Sequence, residues 1–309
     1  MNTETSPSSN ARIEGLWLAA MPGVFVLLWS TGFVGAKLGL PYAEPLTFLF
    51  LRYAAMVAIL TLVAFAFRAP WPKGKATWGR VAVVGVTVHG GYLAGVFYSI
   101  QAGLPTSVTA LIVGVQPLLS AVAAGMFLDE KVSGRQWLGL GLGLVGVALV
   151  LGDKITLDIG GYLGPMFAVM ALICITFGTI YQKRHNDQMD LRSGSAIQFG
   201  AAAIPTGIGA LLFETRDVVW SGEFIFALSW LTVVISIGAI TLLFILIRQG
   251  AVAKVASLFY LVPPVTAVYG WLMFDETLSA MSLVGMAVVV MAVALVTQSI
   301  PEREGEPHG

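Results

Sequence analysis

Residues 116–130 read QPLLSAVAAGMFLDE, and residues 262–276 read VPPVTAVYGWLMFDE. Laid over one another at an offset of 146, they pair Pro117 with Pro263, Ser120 with Thr266, Ala121-Val122 with Ala267-Val268 and Asp129-Glu130 with Asp275-Glu276. Outward from this block, without a gap, the register pairs Gly139 with Gly285 and Val147-Ala148-Leu149-Val150 with Val293-Ala294-Leu295-Val296. Toward the N-terminus it carries Gly15, Ser30, Gly32 and Lys37 onto Gly161, Thr176, Gly178 and Lys183. Alanines and valines agree by chance in apolar sequence. The proline, the acidic pair and the glycines carry the weight, and they mark the chain as a duplication.

Of the 309 residues, 57% are hydrophobic and 11% charged, far from a soluble domain, in which roughly a quarter are charged. Seventeen Lys+Arg against seventeen Asp+Glu leave no net charge, so no global basic field recruits nucleic acid. One cysteine, Cys174, and three histidines, His89, His185 and His308, supply neither a disulfide framework nor a clustered zinc site. No cofactor is expected.

A helix needs about 20 apolar residues to cross a hydrocarbon core of about 30 Å, because each backbone polar group must be satisfied within the segment. Ten such stretches can be marked: 16–37, 46–67, 80–101, 104–128, 135–152, 160–182, 192–213, 223–247, 251–274 and 278–299. The expected fold is an all-α integral membrane protein of ten transmembrane helices. The repeats would occupy 16–152 and 160–299, with polar tails at 1–15 and 300–309. Each half holds five spans, an odd number, so the second enters the membrane inverted. Inverted repeats around a central cavity are an architecture of secondary transporters, with substrate near the midplane.

The first apolar run follows an almost uncharged tail and holds Pro22 and Trp29 rather than a compact leucine core, so it reads as a span and not a cleaved signal. With the N-terminus inside, thirteen lysines and arginines fall on the cytoplasmic side. Three (Lys37, Lys154 and Arg216) fall opposite, and Arg52 lies within a span. Both termini are expected in the cytoplasm.

The ten spans, the five-plus-five repeat, Trp29-Ser30, Phe50-Leu51-Arg52-Tyr53 and the two Pro...Asp-Glu...Gly blocks resemble the EamA-type transporters of the drug/metabolite transporter superfamily. Among them the chain looks most like the bacterial YddG-type amino-acid exporters. The resemblance implies a ten-helix bundle whose cavity is formed mainly by the third, fourth, eighth and ninth helices. One departure is Ile175-Thr176 in the second half, where the first has Trp29-Ser30.

Pro117 and Pro263 each lie 12 residues before an aspartate, about 18 Å along a helix and near the bilayer centre. Each proline lacks an N–H, so the carbonyls of Val113 and Phe259 lose their helical partners. A kink there is a pivot or a fixed packing feature, and a freed carbonyl can bind an ammonium group. Thr109, Gln116 and Ser120 are spaced to share one face, for cavity lining or for interhelical hydrogen bonds. His89, with Tyr92 one turn on, sits at mid-membrane depth as a substrate partner, a proton-coupling group or a neutral structural histidine. Trp29, Ser30, Phe259, Tyr260 and Thr266 complete the candidate substrate-binding set, and Pro117 and Pro263 are the candidate hinges.

Arg52 and Lys254 lie within about two turns of span ends, close enough to snorkel toward headgroups or to bond helix ends, which favours a structural role over substrate contact. Gly139 and Gly143 form a GxxxG pattern suited to close helix packing. The Asp-Glu pairs cap the next helix or gate a mouth.

No GxxxxGK[ST], HExxH or GxSxG sequence occurs, so neither an ATP engine nor an intramembrane hydrolase is expected. The reading is a monomeric bacterial inner-membrane secondary transporter that exports small neutral or zwitterionic metabolites, foremost amino acids, by alternating access. Export of drugs or other metabolites is the alternative, and a non-transporting receptor or scaffold a weaker one. With no carboxylate near mid-span, facilitated diffusion is favoured over proton antiport.

Overall fold

The computed structural model describes residues 9–127, 133–155, 161–185, 189–239, 242, 245–246 and 258–297. The protein is an all-helical membrane protein with the repeat unit duplicated. Six helices are long and apolar enough to cross a membrane, and four shorter apolar helices complete the ten.

The first two spans are α1 (Ser9–Gly39) and α2 (Pro45–Ala66). The third is composite: α3 (Lys75–Val84), a π-helical stretch over Gly85–Gly91 and α4 (Tyr92–Gln101). The fourth is broken into α5 (Thr106–Val113) and α6 (Gln116–Phe127). The fifth to seventh are α7 (Gly134–Ile155), α8 (Leu163–His185) and α9 (Leu191–Phe213). The eighth starts as α10 (Gly222–Ser229) and widens into a second π-helical stretch, Trp230–Ala239. The ninth is described from a 3₁₀ turn, Phe259–Leu261, into α11 (Val262–Phe274), and the tenth is α12 (Ala280–Thr297).

The breaks obey the repeat. Helix α6 starts at Gln116-Pro117 and α11 at Val262-Pro263, the same two positions of the register. Proline fits best in the first turn of a helix, where an N–H has no intrahelical partner in any case, although Pro22 and Pro205 are carried inside α1 and α9. The chain therefore ends one helix and opens another instead of bending a continuous one. The π-helical stretches obey it too, because Gly85–Gly91 shifted by 146 falls inside Trp230–Ala239.

Packing shows the same exchange of halves. Helices α2 and α9 pair with each other across the repeats, as do α7 and α12, while α1 lies against α11 and α8 against α5 and α6. In α7 a methyl group on Gly143 would sit 2.4 Å from Leu118 Cδ1, and one on Gly146 would sit 2.7 Å from the Gly285 carbonyl oxygen of α12. Close packing thus falls at Gly143, as expected, and extends to Gly146.

Acidic side chains tie one end of the bundle. Glu214 accepts from the Leu46 and Thr47 amides at 2.8 and 2.7 Å, satisfying two orphan donors at the start of α2, and from the Tyr98 hydroxyl at 2.9 Å. Glu44 accepts in return from the Thr215 amide and hydroxyl at 2.6 and 2.7 Å. These hydrogen bonds hold its carboxyl below the usual carboxylate range.

Candidate functional site

The two broken spans meet at their breaks. A Cβ on Gly114, in the turn between α5 and α6, would lie 3.1 Å from the Pro263 ring. The Gly114 amide still bonds to Ala110 at 2.8 Å, and Val115 makes a tighter turn to Ile112 at 3.2 Å. At the second break the Val262 N–H takes the Phe259 carbonyl. The expected free carbonyl at Phe259 is therefore occupied, because a 3₁₀ turn shifts the acceptor to the donor one residue earlier.

An aromatic wall stands beside this crossing. Trp29 and Phe259 meet edge to face at 5.1 Å between ring centroids, and Phe25 contacts both at 5.4 Å. Ser30, fully buried, donates to Val26 at 2.8 Å and lies 3.4 Å from the Val262 carbonyl, which ties α1 to the start of α11. Thr266 is also fully buried, and its hydroxyl has no partner among the described residues. The Tyr260 side chain lies outside the described residues, as do Lys254 and the Asp129-Glu130 pair.

Gln116 and Ser120 stay together, with Gln116 Nε2 reaching Ser120 Oγ at 3.0 Å and Thr179 Oγ1 of α8 at 3.2 Å. Thr109 does not join them. It is fully buried on the other side of the helix break and hydrogen-bonds Ser99 of α4 at 3.0 Å. The spacing rule assumed a continuous helix, and the break at Gly114 invalidates it.

His89 lies about halfway along the Lys75–Gln101 span, inside the π-helical stretch. Its ring stacks on Phe199 of α9 at 4.2 Å, and its carbonyl accepts from the Tyr53 hydroxyl at 2.5 Å. Tyr92 follows in α4, half-buried against the same core as Tyr53, Phe199, Trp29 and Phe259.

Arg52 corrects the snorkelling expectation. It is buried well inside α2 and turns to the eighth span, where its Nη2 meets Ser236 Oγ at 2.9 Å, and its Nε has no partner among the described residues.

Glu276 also departs from expectation. It caps the fourth span rather than the next helix: it accepts from the Thr106 amide at 3.0 Å and hydroxyl at 2.9 Å and pairs with Lys37 at 2.6 Å. Lys37 in turn lies 4.6 Å over the Phe274 ring. One carboxylate thereby joins the ends of the first, fourth and ninth spans.

Sequence reasoning missed Tyr53, Gln198, Phe199, Ser236 and Thr179. The repeat register held a signal for two of them, since Arg52-Tyr53 falls on Gln198-Phe199. The π-helical stretches left no compositional trace.

With this geometry in hand, comparison with known proteins is direct. The profile of the EamA-like transporter family matches residues 16–152 and again residues 162–298. The chain belongs to the EamA-like transporter family. This EamA protein is 27% identical over 290 residues to the uncharacterized transporter YvbV of Bacillus subtilis, covering 90% of each chain. It is 25% identical to a "Probable amino-acid metabolite efflux pump" of Salmonella typhimurium, over 86% of this chain and 90% of that one. It is also 25% identical to the uncharacterized inner membrane transporter YedA of Escherichia coli (strain K12), over 88% and 87%. A crystal structure of a protein 16% identical superposes with a TM-score of 0.64 over 91% of this chain and 96% of that one, which shows a shared fold. The EamA protein is thus a multi-pass membrane transporter and not an enzyme.

Proposed function

We propose that this chain is a secondary transporter that exports small zwitterionic metabolites, foremost amino acids with apolar or aromatic side chains, by alternating access. In this reading it works as a monomer in a bacterial inner membrane with both termini in the cytoplasm. The observation that carries it is the crossing of two broken spans, Gly114 against Pro263, beside the Phe25, Trp29 and Phe259 rings.

Broken helices at repeat interfaces are where transporters of this architecture bind substrate. The aromatic rings suit an apolar side chain, and His89, Tyr92, Gln116, Ser120 and Thr266 offer polar groups for the other end. Pro117 and Pro263 act as the pivots. The name of the Salmonella relative points to the same substrate class. Large polyanions such as nucleotide sugars would call for several deep cations, whereas the described spans bury only Arg52.

The test is uptake of radiolabelled amino acids into proteoliposomes of the purified protein against empty liposomes. Saturable flux of leucine or phenylalanine is the expected result. No flux for any amino acid would overturn the substrate assignment and move the search to other metabolites and drugs.

A further inference from the structure

Arg52 poses an electrostatic problem that the fold does not solve. A buried guanidinium is costly to hold unless an anion neutralises it and its N–H groups find acceptors. It has five such groups, of which Nη2 meets Ser236 and the buried Nε meets nothing among the described residues. The sequence cannot supply the missing anion. All its aspartates and glutamates fall in tails, connectors or the terminal turns of helices, and none at mid-span.

The duplication supplies an internal control. In the repeat register Arg52 corresponds to Gln198 and Gly90 to Ser236. Arg52 ties the second span to the π-helical stretch of the eighth, and Gln198 packs through its backbone against Gly85 at the start of the π-helical stretch of the third. The same pair of elements meets in both halves, with a charged residue at this position in one and a neutral amide in the other. An amide therefore suffices for packing, and the positive charge at Arg52 is surplus to it.

We infer that Arg52 is the anion-recognising group of the transport site and binds the carboxylate of a small monocarboxylate solute. This rests on the transport reading above and deepens it by assigning the carboxylate end of the substrate to the contact between the second and eighth spans. Arginine suits the task because its planar fork meets a carboxylate through two parallel hydrogen bonds, and Nε with one Nη forms such a fork. Tyr92, half-buried, packs against the core cluster that contains Tyr53, the residue after Arg52.

The experiment compares L-leucine with L-leucinamide, which lacks the carboxylate, on the wild-type protein and on Arg52→Gln and Arg52→Lys. Counterflow in proteoliposomes is read together with thermal melting in detergent. Wild-type protein is expected to prefer leucine by about tenfold or more, a typical margin for one charge-assisted contact. Arg52→Gln, which copies the second repeat, should keep its melting temperature and lose the preference. Arg52→Lys should keep a preference with a raised KM. If Arg52→Gln folds and still prefers leucine, the inference is overturned. If Arg52→Gln fails to fold, Arg52→Lys decides: retained discrimination supports the site, and its complete loss in a folded protein makes the arginine a packing element.

A second measurement separates this from failure of the transport reading. Wild-type protein that moves neither probe is melted with isocaproate and with isocaproamide, in buffer with and without chloride. Stabilisation by isocaproate alone supports the site. Equal response to both, or stabilisation by chloride alone, overturns it.

Discussion

Gly85 sits so close to α9 that a methyl group there would lie 2.2 Å from the Gln198 carbonyl oxygen and 2.6 Å from its Cα. Both atoms are backbone, so the helices must part. Gly85→Ala should cost about 1–3 kcal/mol, as overpacking does, read as a lowered melting temperature in detergent. On Gly79, in the preceding helix, a methyl group would meet nothing within 4 Å, so Gly79→Ala should be neutral or stabilising by up to about 1 kcal/mol. Equal losses at both sites would contradict the close approach.

Glu44 gives a pH prediction at the same scale. Its carboxyl is held below its ordinary value, chiefly by the Thr215 hydroxyl and with help from the Thr215 and Arg216 amides. A lowered folded-state value means that the unfolded chain binds the proton more readily, so the contribution to stability is fully present above the ordinary carboxylate range. It is lost as pH falls through the lowered value. Glu44→Gln should melt lower at neutral pH and show less additional loss on acidification than the parent. Parallel pH profiles would remove Glu44 from the acid response.

At the scale of elements, the matched breaks at Pro117 and Pro263 are where two halves of a span can reorient without stretching an intact hydrogen-bond ladder. Pro117→Ala allows a continuous helix, and in the second half the matching change is Pro263→Ala together with Pro264→Ala, because Pro264 also lacks an N–H. Each should lower turnover more than it lowers the yield of folded protein. Normal transport by both variants would reduce the breaks to packing.

The Lys37, Thr106 and Glu276 junction makes the opposite demand, because it holds three spans together at one end. The Glu276 side chain is 6% exposed, and removing one partner of a buried pair leaves the other uncompensated. Glu276→Gln should loosen this end. In a Cys174→Ser, Ser107→Cys background, a membrane-impermeant maleimide should then label position 107, fully buried in the closed junction, faster than without the Glu276 change. An unaltered labelling rate would make the junction a static tie.

For the whole molecule, the absence of a mid-span carboxylate from the sequence bears on coupling. A proton relay through the membrane interior uses groups that gain and lose charge near the midplane, and His89 is the titrating side chain best placed for it. Its ring, however, is stacked on Phe199 of α9, and the sequence places no carboxylate at mid-span to exchange a proton with it. Flux is therefore expected to follow the solute gradient and to ignore an imposed pH gradient in proteoliposomes. A pH gradient that drives uptake, with the response abolished in His89→Gln, would reverse that expectation and make His89 the coupling group.

The sequence by itself determined the class of protein, the number of spans and the duplication. Each depends on a property that lipid enforces locally: apolar length sufficient to cross, and backbone groups satisfied within the segment. The register alone located both helix breaks, since proline's missing N–H acts on its own turn. What only the tertiary structure decided is which polar groups meet. Arg52 was legible as an intramembrane cation, but whether it snorkelled or turned inward depended on the eighth span beside it. Thr109 fell away from Gln116 because a break between them rotated the helix, and Glu276 capped the fourth span because folding brought that helix start within reach. Contacts such as Arg52 with Ser236, or Lys37 with Glu276, join residues 184 and 239 positions apart. Local periodicity sets the face of a helix but holds no record of its neighbour, so only packing could choose these partners.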